Sequence, residues 1–176
     1  QRPPGDEVLV FDEHGGHGAL ACAELLAAGG ANVTLVTPDR ASGSELGDTN
    51  IGAHMSELYG HGVTIVPDTR LTAVARDGNG LLATLTNLYT DQHRQSRVDQ
   101  VVSDCGTLPN VELYLELKPL SSNLGEVDLR VLASAERQTV LRNPQGQFAL
   151  YRIGDAWAGR NIHAAMLDAM RICRNL

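Results

Sequence analysis

Residues 8–36 read VLVFDEHGGHGALACAELLAAGGANVTLV, and no other stretch limits the fold so tightly. Val8, Leu9, Val10 and Phe11 form the continuous apolar run that a strand buried on both faces requires. Leu20, Ala23, Leu26 and Ala27 then recur at helical spacing across 19–28, and Gly29-Gly30 stops them. A second apolar run, 33–36, ends before Pro38. Strand, glycine turn, helix and strand make the opening βαβ unit of a dinucleotide-binding fold. The turn departs from that fingerprint in one respect: Asp12-Glu13 stands where the first glycine should follow the strand.

The chain continues with a polar loop over 39–49 and a helix expected over 50–59. That helix has Asn50 as its cap and Gly60 or Gly62 as its stop. A third short parallel strand follows at 63–66. The pattern then changes to three antiparallel strands, 71–76, 81–89 and 97–102, joined by the hairpin signal Asp77-Gly78-Asn79-Gly80 and by a polar loop, 90–95. A short helix is expected at 111–117 and an irregular segment over 120–142, with 126–132 undecided. A turn at 144–147, an apolar strand at 148–153 and a final amphipathic helix over 161–175 complete the reading. The fold class expected is α/β: a Rossmann-like βαβαβ parallel sheet plus a three-stranded antiparallel meander.

Composition narrows the function. With 43% hydrophobic and 20% charged residues, 176 residues can build a core. The net charge of −7, without any Lys/Arg cluster, argues against nucleic acid as a partner. No apolar run reaches membrane-spanning length and no signal peptide is seen, so no membrane partner and a cytoplasmic location are expected. Cys22, Cys105 and Cys173 are far apart and form no CxxC pair; they read as reduced, buried thiols. The lead Arg2-Pro3-Pro4-Gly5 reads as a linker, and a start at Gln1 is what a piece of a longer protein would show.

Three motifs in order carry a resemblance. The βαβαβ unit, Asp104-Cys105-Gly106-Thr107-Leu108-Pro109-Asn110, and Tyr151-Arg152-Ile153-Gly154-Asp155-Ala156 are similar to the NAD(P)-binding domain of the pyridine nucleotide-disulfide oxidoreductases and its return into an FAD domain. The Asp-Glu-His-Gly-Gly-His turn, Leu35–Arg40 (LVTPDR), Gly106-Thr107-Leu108-Pro109, Asn123-Leu124-Gly125-Glu126-Val127-Asp128 and Gly154-Asp155-Ala156 with Arg160-Asn161-Ile162-His163-Ala164-Ala165 narrow it further. Over nearly its whole length the chain resembles the C-terminal region of the old-yellow-enzyme-like NADH:flavin oxidoreductases. These include trimethylamine and dimethylamine dehydrogenases, 2,4-dienoyl-CoA reductase and, most of all, the N-methylproline demethylases. The resemblance implies a linker at 1–6, an NAD(P)-binding-like domain at 7–143, and the terminal strand and helix of an FAD-like domain at 144–176. It implies that FMN and a 4Fe-4S cluster reside in an N-terminal barrel outside this chain, and that FAD or ADP, or NAD(P)H, is a further cofactor of the intact protein. Partners would be that barrel, the other half of the FAD-like domain and an electron-transfer protein. The function expected is that of a nucleotide-domain fragment supporting electron transfer, itself inactive. The alternatives are a free-standing NAD(P)-binding domain or a docking module for an electron-transfer partner.

Candidate site residues follow, each with two readings. Gly15, Gly16 and Gly18 could line a pyrophosphate with backbone N–H groups at a helix start. The other reading is a structural remnant, with Asp12 capping local N–H groups. Arg40, past the second strand, could accept the 2′-phosphate of NADP or simply be solvated. For Gly154 and Asp155, the resemblance places the aspartate near the flavin ribityl and pyrophosphate; the plain reading is capping of the last helix. His14 with His17, and His54 with His61, lack further ligands and read as ordinary polar histidines, so no metal is expected. Ser42, Ser44 and Ser56 lie in no nucleophile motif. Trp157 is expected to pack against a missing domain.

Overall fold

A computed structural model describes residues 5–174; the linker over Arg2-Pro3-Pro4 and the helix end at Asn175 lie outside the described residues. The chain divides into two compact units, 1–106 and 107–176.

In the first unit, β1 (Glu7–Asp12), α1 (His17–Ala28), β2 (Asn32–Val36), α2 (Asp48–Gly60) and β3 (Thr64–Val66) form the expected βαβαβ unit. The parallel sheet has the order β3-β2-β1-β7, with β7 at Gln100–Asp104. The β-period explains the unbroken apolar run of β1. Val8 and Val10 face Leu20, Ala23, Leu35 and Leu58 on the helical side, while Leu9 and Phe11 face Ala83, Leu85 and Val98 on the other. That second face is covered by the antiparallel sheet β4 (Thr69–Asp77), β5 (Gly80–Asn87), β6 (His93–Val98). Helix α1 ends as Gly29-Gly30 requires: Gly30 takes φ +93, and Ala31 N–H reaches back to Leu26 O at 3.1 Å.

Several details differ from the sequence reading. Strand β6 begins at His93, inside the polar loop expected over 90–95. Helix α2 starts at Asp48 behind Gly47, so Asn50 lies inside its first turn, with its N–H bonded to Gly47 O, and is not the cap. The single strand expected at 97–102 is two strands: Asp99 alone separates β6 from β7. Its N–H donates to Glu7 O at 2.8 Å while its carboxylate accepts from Glu7 N at 2.9 Å. The period-2 pattern is interrupted there, with polar Asp99-Gln100 between Val98 and Val101, so the chain changes sheet where its alternation breaks. Cys105 and Cys173 are exposed and Cys22 is half-buried, against the expectation of three buried thiols.

The second unit holds α3 (Glu112–Leu117), α4 (Leu129–Ala133) and α5 (Ile162–Cys173). Asn161 caps α5, accepting from Ala164 N at 2.9 Å, and Asp128 caps α4. The strand expected at 148–153 is not formed among the described residues. That segment instead lies along the 121–126 turn, through Ser122 N to Phe148 O at 2.7 Å and through Asn123. Asn123 is fully buried; its amide donates to Glu126 O and Leu150 O at 3.0 and 2.9 Å and accepts from Leu150 N at 2.8 Å. No described helix is long and apolar enough to cross a membrane.

Candidate functional site

The glycine turn connects β1 to α1 in four residues, Glu13 to Gly16. Asp12 closes β1, pairs in register with Asp104 of β7, and is fully buried. Its Oδ1 accepts the Gly15 N–H at 2.7 Å, whereas Oδ2 is buried without a partner. Gly15 is in the left-handed region (φ +72), where an N–H can turn inwards over the carboxylate. Gly16 caps α1 in an extended conformation with no side-chain bond, and Gly18 lies in the first turn.

The loop after β2 folds over this turn. Glu45 N donates to Gly15 O at 3.0 Å, and Ser44 donates to the Asp39 carboxylate. A Cβ on Gly15 would lie 2.3 Å from Ser44 Oγ; one on Gly18 would lie 2.4 Å from the Asp104 carboxylate. The glycines are therefore needed to admit the chain's own side chains. Burial pushes the Asp12 carboxyl up from the usual carboxylate range; the Gly15 and Gly43 backbone N–H groups oppose this, while Asp104 and Asp39 add to it.

A dinucleotide pyrophosphate fits this turn poorly. The helix terminus attracts an anion by roughly 0.3–1 kcal/mol, and each backbone N–H contributes a net ~1 kcal/mol. One carboxylate about 4 Å from a phosphate opposes that by ~4 kcal/mol at an effective dielectric near 20. Here Asp12, Asp39 and Asp104 all border the turn, and Asp12 already holds the Gly15 N–H.

The other candidates are placed as follows. Arg40 is exposed; its neighbours are the Tyr89 hydroxyl and Asp68, which raise its pKa, whereas the preceding Asp39 reaches Ser44. Gly154, in the second unit, is buried with φ +57, and its N–H donates to Asp168 at 3.1 Å. A Cβ there would sit 3.2 Å from Ala165 Cβ, so Gly154 lets the segment approach α5 closely. Asp155 is exposed, and the capping of α5 falls to Asn161. Trp157 is 55% exposed while its ring stacks against Arg152.

The structure also joins residues that sequence spacing kept apart. His17 Nδ1 lies 2.9 Å from His54 Nε2, and His54 Nδ1 lies 2.5 Å from Glu24, a string linking α1 to α2. His61 pairs instead with Glu57 at 3.7 Å. Among the described residues, no group of three His, Cys, Asp or Glu is placed to hold a metal.

Comparison with known proteins adds four findings. No family model matches the chain. It is 46% identical over 173 residues to a probable N-methylproline demethylase of Rhizobium meliloti (strain 1021), covering 98% of this chain and 26% of that protein. It is 38% identical over 176 residues to an N,N-dimethylglycine/sarcosine dehydrogenase of Chromohalobacter salexigens, covering 98% of this chain and 25% of that protein. Among solved structures, histamine dehydrogenase from Rhizobium sp. 4-9 superposes with a TM-score of 0.68 at 23% identity, over 97% of this chain and 23% of that one, which speaks for the fold alone. The chain thus spans about a quarter of the length of the curated relatives it matches.

Proposed function

We propose that this chain, which resembles the old-yellow-enzyme-like flavin oxidoreductases along its whole length, is the C-terminal nucleotide-domain part of such an enzyme. In this reading it supports electron transfer and does not carry the chemistry on the substrate. FMN and a 4Fe-4S cluster belong to the remaining part of the protein, and the substrate class is an N-methylated amine, as the names of the two relatives suggest.

The observation that carries the reading is the glycine turn. Asp12 occupies the Gly15 N–H and Ser44 fills the space beside it, so the frame of a dinucleotide domain is kept while its anion site is filled from within. A second observation supports it. In the second unit Leu108, Ile162, Met166 and Met170 are all more than half exposed, as expected of surface that packs against further protein.

Calorimetry of the full chain with NADH and NADPH tests this. The expected result is no saturable heat at micromolar ligand; micromolar binding of either nucleotide overturns the filled-site reading. The reading frame upstream of Gln1 supplies a separate check. A barrel with a cysteine cluster motif is expected there, and its absence overturns the placement within a longer enzyme.

A further inference from the structure

The second unit contains a pocket of about 260 Å³ whose lining runs against the acidity of the chain. Three arginines, Arg152, Arg160 and Arg171, face one carboxylate, Asp168. Asp168 is already engaged by Arg160 and by the Gly154 N–H. Among the described residues, Arg152 and Arg171 have no ion-pair partner, and the Nε of Arg152 is buried without any hydrogen-bond partner. A permanent cation that lines a pocket without an ion-pair partner can take an acceptor held in that pocket.

Arg152 is also held in position. Its guanidinium carbon lies 4.7 Å from the Tyr114 ring centroid and 4.8 Å from that of Trp157. Tyr114 is fixed by its hydroxyl, which donates to Gly125 O at 3.2 Å. Gly125 has φ +70 and touches that hydroxyl so closely that no Cβ would fit. Aromatic rings shield the faces of a guanidinium and leave its in-plane N–H edge for polar partners. That edge suits a planar pair of oxygens. Beside Trp157, the rest of the wall is aliphatic, with Leu129, Leu132 and Ile172 among its residues.

We propose that this pocket binds a small monocarboxylate with an apolar body. The carboxylate pairs with Arg152 and Arg171, and the aliphatic part lies against Leu129, Leu132 and Ile172. An inorganic phosphate would satisfy the arginines but would leave the aliphatic wall facing a hydrated dianion, so the two chemistries separate experimentally.

Trp157 is the chain's one tryptophan, so its emission reports this pocket directly. The full chain is titrated with sodium isovalerate at constant ionic strength, with acetate, phosphate and isoamylamine in parallel. Isovalerate is expected to give a saturable change in emission. Acetate, with three fewer carbons to bury, is expected to bind at least about tenfold more weakly. Phosphate and the amine are expected not to saturate. Arg152→Gln is expected to weaken isovalerate by roughly tenfold or more, and Arg171→Gln to weaken it as well. The proposal is overturned by absence of saturation in the native protein, by equal affinity for acetate or for the amine, or by phosphate binding as tightly as isovalerate. It is equally overturned if both arginine variants melt as the native protein does and bind unchanged. The ligand comparison needs no variant, so it decides even if a substitution prevents folding.

Discussion

At the scale of the residue, Asp12 sets the character of the turn. Its carboxyl is raised by burial, so the folded chain holds this proton more tightly than the unfolded chain does. The charged form therefore opposes folding. That penalty is absent below the ordinary carboxylate range, grows as pH rises through the raised folded pKa, and is constant above it. Asp12→Asn keeps an acceptor for the Gly15 N–H and removes both the charge and its repulsion from Asp104 and Asp39. It is expected to stabilise the protein by about 1 kcal/mol at pH 7, because a buried charge is removed, and to lose that advantage near pH 4. Thermal melts across pH 4–8 measure both arms, and a gain that does not depend on pH contradicts the argument. Gly15 supplies the complementary case. Gly15→Ala places a side chain at positive φ and against Ser44 Oγ, with an expected loss of about 2 kcal/mol or more. Adding Ser44→Gly should restore the steric part only, which a double-mutant cycle by denaturant titration resolves.

At the scale of the element, legibility followed the apolar runs. Strands β1 to β3 and helices α1 and α2 announce themselves as buried runs and helical periods bounded by Gly and Pro, and Asp77-Gly78-Asn79-Gly80 marks the first hairpin. The pivot at Asp99 shows only as a break in alternation: Val98 and Val101, three residues apart, reach the same apolar cluster, which one unbroken strand could not do. The strand expected at 148–153 failed for a different reason. Its residues look like a strand, but their backbone partners are Ser122 N and the side chain of Asn123. Whether an asparagine ends a turn or anchors a distant segment is not written in local sequence, and the same holds for the Arg152 stack and the His17–His54 pair. Asn123→Leu leaves Glu126 O, Leu150 O and Leu150 N without their partner, so a loss of about 2–4 kcal/mol is expected within the second unit. Hydrogen exchange should show faster exchange at Leu150 and Glu126 with little change in β1. Equal loosening of both would refute the local role of this side chain.

At the scale of the whole molecule, the two units differ in what holds each together. The first has apolar clusters on both faces of its parallel sheet, whereas in the described part of the second only Ile172 is a buried large hydrophobic. Amides of β1, β2 and β7 are therefore expected to exchange far more slowly than those of 107–174, and native-state hydrogen exchange would expose the reverse. The single-residue pivot at Asp99 also governs how the chain reaches its native state. Strands β1 and β7 are neighbours, yet Glu7 and Asp99 are 92 residues apart, a closure that is slow if the intervening chain is loose. The hairpins β4–β5 and β5–β6 close over a few residues each, on a microsecond scale, and deliver Asp99 to the edge of β1. The meander is thus the tether that shortens the search. Weakening its first turn by Gly78→Val, at φ +60, should slow refolding while leaving the unfolding rate nearly unchanged. Stopped-flow refolding reads that partition directly, and an effect confined to unfolding would mean that the parallel sheet closes first.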